Sequence, residues 1–182
     1  MPNTLPVFQS SFAKFLSDQG AGTTDDTAGF IADEYHNAVQ NVFPGTVPGA
    51  TPIGLIASDV KDGFVTTFNN IFDKEASTSP GDYMPAADGI VKYWTGKNLK
   101  PSGIPPGTVA TISNQITFGG ASAPLAAQIF AAFGAMNENA VAAGLAAAFQ
   151  THLLTISGIW NGTMPGPSGV IPSPPIPWVG LI

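Results

Sequence analysis

The chain has 182 residues and a formal net charge of -6, from twelve carboxylates and six lysines, without any arginine. The lysines stand singly, which argues against a nucleic-acid partner, because phosphate neutralisation requires clustered basic side chains. The absence of cysteine excludes disulfides, thiolate metal sites and cysteine nucleophiles. Residues 101–182 contain one carboxylate, Glu138, and no lysine, whereas about a quarter of an ordinary domain is charged. We therefore expect other protein surfaces to cover much of this half.

The segment 1–20 is predicted to be an N-terminal arm that contains a short amphipathic helix over 7–18. An aromatic-rich terminal segment needs a surface to cover it, either the core of its own chain or a neighbouring subunit. The segment lacks the basic and apolar regions of a secretory signal, so we expect synthesis and folding in a cytoplasm. The apolar residues at helical spacing are Phe8, Phe12, Phe15 and Leu16.

Three more helices are predicted in the first half of the chain. Thr23 and the carboxylates that follow it suit the start of the first helix, and Pro44 ends it. The second carries a nearly continuous apolar stripe from Ile56 to Phe72, and the third begins at Pro85. Each helix is expected to bury its apolar face in a common core.

Two groups of polar residues are candidate functional sites. Asp33, Glu34 and His36 resemble metal ligands, but two ligands at i,i+3 spacing on the outer side of a helix do not complete a site. His152 lies among apolar residues and lacks a carboxylate partner, which favours a hydrogen-bonded histidine at a packed face. We therefore predict no catalytic residues, no metal and no cofactor.

An extended segment is predicted between the two helical regions. Residues 97–107 form a connector rich in proline and glycine, and residues 108–118 alternate with period two. A lone strand is not stable, so this one must pair with a distant strand of the chain or with the edge of another subunit. The residues predicted to share its apolar face are Ala110, Ile112, Ile116 and Phe118.

Residues 121–156 are predicted to form two apolar helices, interrupted near Asn137. Their alanines and Gly144 let neighbouring backbones approach closely, so these helices suit burial on all sides within an assembly. The apolar run at 121–136 is shorter than the stretch of about 20 residues that a membrane span needs. A shallow helical hairpin in a bilayer is the alternative interpretation of this region.

The last segment, 163–182, is predicted to be a C-terminal arm. Its six prolines and its lack of charge favour an extended conformation without internal hydrogen bonds. It ends in Trp178, Val179, Leu181 and Ile182, which are residues that a disordered tail would lack. We therefore expect it to lie in a groove of a partner subunit.

Together these patterns predict a mainly α fold. A helical bundle body at 21–162, with one extended β segment and its connector at 97–120, is expected to stand between N- and C-terminal arms. Rigid extended arms lose little entropy on docking, so they are expected to hold neighbouring subunits. The residues predicted to line the contacts between subunits are Phe8, Phe12, Tyr93, Trp94, Ile112, Ile116, Phe118, Trp160, Trp178, Leu181 and Ile182.

The order of these elements resembles that of small virion proteins of tailed bacteriophages, of the neck, tail or baseplate kind. The resemblance covers residues 25–160 and includes the segments 93–96, 105–107 and 151–158. It implies a structural, non-enzymatic subunit of a cyclic oligomer in the phage virion, assembled in the host cytoplasm. Its partners would be copies of the chain and other virion structural proteins, without nucleic acid or membrane.

Overall fold

The computed structural model describes residues 4–19, 22–46, 50–74, 78–100, 105 and 107–182. Within these ranges six α-helices accompany a six-stranded antiparallel sheet, so the protein is mixed α/β. The prediction of a mainly α helical bundle with one extended segment is therefore wrong. The helices are α1 (Leu5–Gln19), α2 (Thr24–Val39), α3 (Ala57–Phe72), α4 (Met84–Trp94), α5 (Ser122–Phe133) and α6 (Glu138–Leu153). The strands are β1 (Pro52–Ile53), β2 (Asn98–Leu99), β3 (Ala110–Phe118), β4 (Ser157–Gly166), β5 (Gly169–Pro172) and β6 (Ile176–Val179).

The helices form close to where the sequence pattern predicts them. Thr23 and Asp26 cap α2 reciprocally, because each side chain accepts a hydrogen bond from the backbone N–H of the other residue. Asn137 caps α6 by accepting from the N–H of Ala140 at 2.9 Å. These caps satisfy N–H groups that have no partner inside the helix, and they fix where each helix begins.

Each helix packs against the next one in the chain, and α6 packs against α1, so the six helices form a closed circuit. Aromatic rings fill its centre, where the ring of Tyr35 lies 4.6 Å from that of Phe149 and 5.5 Å from that of Tyr93. The buried hydroxyl of Tyr35 accepts a hydrogen bond from the indole of Trp94 at 2.7 Å. Phe8 lies 5.3 Å from Phe149, so α1 belongs to the helical core rather than to an extended arm.

The ends of the helices fall into two groups. The start of α1 meets the end of α2, where the N–H of Thr4 donates to the carbonyl of Ala38 at 3.0 Å. The end of α6 meets the C-terminal residues, where Leu181 donates to the carbonyl of Leu153 at 2.9 Å. The ends of α4 and α6 and the starts of α3 and α5 each lie a few residues from a strand. The opposite ends of the helices lie away from the sheet.

The long strand β4 is the centre of the sheet, whose order is β1-β2-β3-β4-β5. Strand β3 pairs along one side of β4, with bulges between Thr111 and Ser113 and between Ile116 and Phe118. Strands β5 and β6 pair with successive halves of the other side. The short strands β2 and β1 extend the sheet beyond β3.

The C-terminal segment is part of this sheet, so it is not an extended arm. Trp178 of β6 is buried opposite Gly158, and Leu181 is also buried. The backbones of Phe43 and Ile182 exchange two hydrogen bonds, at 3.2 and 3.0 Å. The many prolines fit because β5 and β6 form an edge of the sheet, where a missing N–H leaves no ladder bond unmade.

Candidate functional site: the outer face of the sheet

Two tryptophans determine which face of the sheet is buried. Trp178 lies opposite Gly158 on the neighbouring strand, and Trp160 precedes Gly162 by two positions on β4. A Cβ on Gly158 would lie 2.3 Å from the ring of Trp178, and a Cβ on Gly162 would lie 1.9 Å from that of Trp160. The indoles therefore lie directly over the two glycines, and no larger residue fits beneath them. This inner face shares one hydrophobic core with the helices.

Each buried indole N–H has a hydrogen-bond acceptor on β3. Trp160 donates to Oγ1 of Thr111 and Trp178 donates to Oδ1 of Asn114, both at 2.9 Å. A buried N–H without an acceptor would cost roughly 1–3 kcal/mol. Thr111 and Asn114 therefore help to specify how β3 aligns with β4 and β6.

The strand predicted from the period-two pattern is confirmed as β3, but its predicted apolar face is wrong. Ile116 is buried, whereas Ile112 and Phe118 are exposed and Asn114 is buried in their place. Each bulge inserts one extra residue and shifts the alternation of side chains. As a result, Phe118 lies opposite Ser157 on the face of the sheet that points away from the core.

This other face, here called the outer face, is open to solvent, and none of the described strand residues on it is charged, although Lys97 and Lys100 stand directly before and after β2. Every Asp, Glu and Lys of the chain lies outside the six described strands. Antiparallel sheets with one solvated face normally alternate apolar residues inside with polar residues outside, so an uncharged open face needs an explanation. Its exposed residues are Ile53, Asn98, Ala110, Ser113, Gln115, Phe118, Pro165, Val170, Pro172, Pro177 and Val179, and the half-buried Ser157, Ile159, Asn161 and Thr163 run between them along β4.

Large apolar residues of the outer face are exposed near both ends of β4, and Ile53 is 49% exposed at the β1 side. At one end Phe118 and Val179 flank Ser157, and their side chains are 47% and 70% exposed. At the other end Val170 pairs with Pro165 and is 64% exposed. The face thus combines exposed apolar side chains with uncharged strand residues. This combination is typical of protein interaction sites.

Most residues that the sequence predicts at subunit contacts are buried within the chain itself, so they cannot touch a neighbour while the fold is intact. Of the three exposed ones, Phe118 lies on the outer face, Ile112 lies at a bulge and Ile182 is the last residue. The predicted set does not include Val170 and Val179, which the structure exposes on the outer face and whose sequence signal is a β-branched residue in a proline-rich edge segment. The buried ones are Phe8, Phe12, Tyr93, Trp94, Ile116, Trp160, Trp178 and Leu181.

A second surface feature is an apolar cleft of about 480 Å³ at the end of the helical circuit that lies away from the sheet. Side chains from α1, α2, α3, α5 and α6 line it together with Tyr83, and Phe72 and Met136 are exposed there. Its described lining contains one carboxylate, Glu138, and no basic side chain. This set does not form the acid and base pair that general acid–base catalysis uses.

The residues that resembled metal ligands lie on α2. Nδ1 of His36 lies 2.8 Å from the hydroxyl of Tyr93, so this ring forms a contact between α2 and α4. Asp33 is exposed beside it and Glu34 is half-buried. Across the parts of the chain that the structure describes, no three His, Asp or Glu side chains are grouped as a metal site requires.

His152 is buried near the end of α6, as predicted, but neither ring nitrogen has a hydrogen-bond partner among the described residues. Burial lowers the pKa of its imidazole from 6.5 to about 4. The backbone of Gly119 favours the protonated ring, but it does not reach hydrogen-bond geometry, so burial prevails. The side chains that line the small cavity beside the ring are uncharged.

Acid should destabilise the protein through His152. The unfolded chain protonates this imidazole near pH 6.5, whereas the folded protein keeps it neutral down to about pH 4, so protons favour unfolding in this window. The expected loss from this group is about 3 kcal/mol between pH 7 and pH 4. Urea unfolding at several pH values checks this, because His152→Gln should lose correspondingly less stability over the same range. Parallel curves for the two proteins would contradict the lowered pKa.

The helices for which a membrane hairpin was the alternative interpretation are α5 and α6. Leu125 and Ile129 of α5, and Leu145 and Phe149 of α6, are buried in the core of the chain. Within the described ranges, no helix combines the length and the apolar character that crossing a bilayer requires. Comparison of the chain with protein-family models, with curated proteins and with solved structures gave no match.

Proposed function

We propose that the protein is a structural assembly subunit that binds its neighbours through the outer face. The observation that supports this most strongly is an open, uncharged sheet face in a chain with a net charge of -6. A solvated face gains solubility from charged side chains, and here the described strands contain none. An uncharged sheet face with exposed Phe118, Val170 and Val179 is suited to burial against protein.

The setting that we propose is a phage virion, as a neck, tail or baseplate component assembled in the host cytoplasm. The resemblance of the sequence to small virion proteins supports this setting. Copies of the chain and other virion structural proteins are the proposed partners. The mechanism of assembly differs from the one that the sequence predicted, because the C-terminal residues pair within their own sheet and an open sheet face takes the place of extended arms.

Replacing Phe118 by Asp should prevent association while leaving the fold intact. Phe118 is 47% exposed on the outer face, and a carboxylate buried there in an interface would lose its hydration without gaining a partner. The matched control is Phe72→Asp, because Phe72 is 72% exposed but lies at the cleft away from the sheet. Sedimentation velocity should show associated wild type and Phe72→Asp, and monomeric Phe118→Asp.

Two results would contradict the proposed function. The first is a wild-type chain that sediments as a monomer at every concentration. The second is flotation of the wild type with lipid vesicles in the absence of other proteins, which would favour the membrane-associating alternative. Circular dichroism of each variant establishes that its helices and sheet are retained, so that a change in mass reports the interface.

A further inference from the structure

We infer that the outer face is covered by the outer face of a second copy, with the two sheets packed face to face around a two-fold axis. This inference rests on the proposed function and names the partner of that surface. Flat antiparallel sheets commonly bury a face against another sheet, at a separation of about 10 Å. Charge, one edge of the sheet, area and the distribution of apolar residues each support this arrangement.

The distribution of charge favours contact through this face. Each copy carries a net charge of -6, and its charged residues within the described ranges lie on helices or connecting segments. Like charges about 4 Å apart near a protein surface repel by up to roughly 4 kcal/mol a pair. Two copies therefore meet with the least repulsion through their outer faces, whereas a strongly basic partner would be attracted to the helical side instead.

The edge of the sheet formed by β5 and β6 is a poor site for pairing with another copy. These strands contain Pro172 and Pro177, with Pro174 and Pro175 between them. Proline has no N–H to donate, so this edge presents an interrupted row of donors to an incoming strand. On the other side, β1 has two residues, one of them Pro52, and β2 pairs with β3 at Gln115, so the part of β3 from Ala110 to Asn114 has no described strand beside it on that side. The prolines thus disfavour association through the edge formed by β5 and β6.

The area of the outer face is close to what a specific pair of subunits needs. Strand β4 has ten residues and spans roughly 33 Å, and the three rows formed by β3, β4 and β5 with β6 are together about 14 Å wide. Face-to-face packing of two copies buries on the order of 900 Å² in total over these rows. With strands β1 and β2 included, the total buried area of the pair is about 1,000 Å², which is the lower limit for specific interfaces.

The arrangement of side chains suits a two-fold axis that lies between the two sheets and passes over the middle of β4. The centre of the outer face is polar, since Nδ2 of Asn161 donates to Oγ of Ser113 at 3.1 Å. Phe118 and Val179 lie at one end of β4, and Val170 lies at the other. In a two-fold interface both subunits contribute the same surface patch. The apolar end of one outer face can therefore cover an apolar end of the other, while the polar centres of the two faces meet.

A spin label at the centre of the face tests this inference, and the lack of native cysteine makes the labelled site unique. In a face-to-face pair, nitroxides on Asn161→Cys come within roughly 20 Å of each other, because packed sheets lie about 10 Å apart. Their electron paramagnetic resonance spectrum should broaden at concentrations at which the protein associates. The control label, on Asn69→Cys, is exposed on α3 and should show no broadening.

A matched pair of second substitutions localises the contact. Val179→Asp in the labelled chain should remove the broadening, because Val179 is 70% exposed on the outer face. Val7→Asp should preserve it, because Val7 is 58% exposed on α1. A protein that associates without broadening at residue 161, or that forms an open-ended series of oligomers, would overturn the face-to-face pair while leaving the assembly role intact. A monomeric wild type would overturn both.

Discussion

Removal of residues 176–182 is expected to unfold the protein. The truncation takes away β6 and with it the buried side chains of Trp178 and Leu181. Loss of a buried Trp typically costs about 3–5 kcal/mol and loss of a buried Leu about 2–5 kcal/mol. Their sum approaches the 5–15 kcal/mol that ordinarily separates folded from unfolded protein. The truncation also leaves Oδ1 of the buried Asn114 without its indole donor.

The truncated chain should therefore lose its cooperative thermal transition and its near-ultraviolet circular dichroism signal. Val179→Ser is the matched control, because this exposed residue can change within the same strand without disturbing the core. An extended arm in the groove of a partner would behave differently, since its removal would lower assembly and leave the body folded. If the truncated chain keeps a cooperative thermal transition at the wild-type temperature, residues 176–182 do not pair with β4 of the same chain.

Gly158→Ala should destabilise the protein by about 3 kcal/mol, at the upper end of the usual cost of overpacking. The added Cβ would lie 2.1 Å from the carbonyl oxygen of Gln115 and 2.3 Å from the ring of Trp178. The carbonyl belongs to the backbone of the paired strand, so relief requires β3 and β4 to separate locally. Unlike a clash with a flexible side chain, this one cannot be relieved by a rotamer change.

Urea unfolding of Gly158→Ala and Gly134→Ala measures this effect against a matched control. At Gly134 the nearest atoms to an added Cβ are 3.6 Å away, and the backbone is in a helical conformation that alanine adopts. Gly134→Ala should therefore leave stability unchanged or raise it by up to about 1 kcal/mol, through its effect on the unfolded chain. Equal midpoints for the two variants would show that the indole of Trp178 does not lie over Gly158.

The helices could be predicted from the sequence because their signals are local. The stripe that includes Phe64 and the cap at Thr23 are both set by residues within a few positions of each other. Apart from β3, the strands of the sheet could not be predicted, because their signals are hidden by glycine and proline or are too short. Gly158 and Gly162 remove two side chains from the alternation of β4, and the prolines of β5 and β6 argue against strands unless their edge position is known.

The candidate site was less predictable than the fold. The low charge of residues 101–182 predicts that this half is buried. It does not tell burial inside the chain, in the helical core, from burial of the outer face against another protein. The sequence places Trp160 and Trp178 among the predicted subunit contacts, Trp178 because it lies near the end of an uncharged, proline-rich segment. They instead fill the inner face, because each is matched by a glycine. Phe118 reaches the outer face only through a bulge, which a period-two pattern cannot reveal.

Hydroxyl-radical footprinting across a range of protein concentrations tests the central claim most directly, because it measures the solvent exposure of individual side chains. If the outer face is the assembly surface, oxidation of Phe118 should fall as the concentration rises. Oxidation of Phe72, at the cleft away from the sheet, should stay constant over the same range. Equal oxidation of Phe118 at the lowest and highest concentrations would contradict the proposal that copies of this chain cover the face.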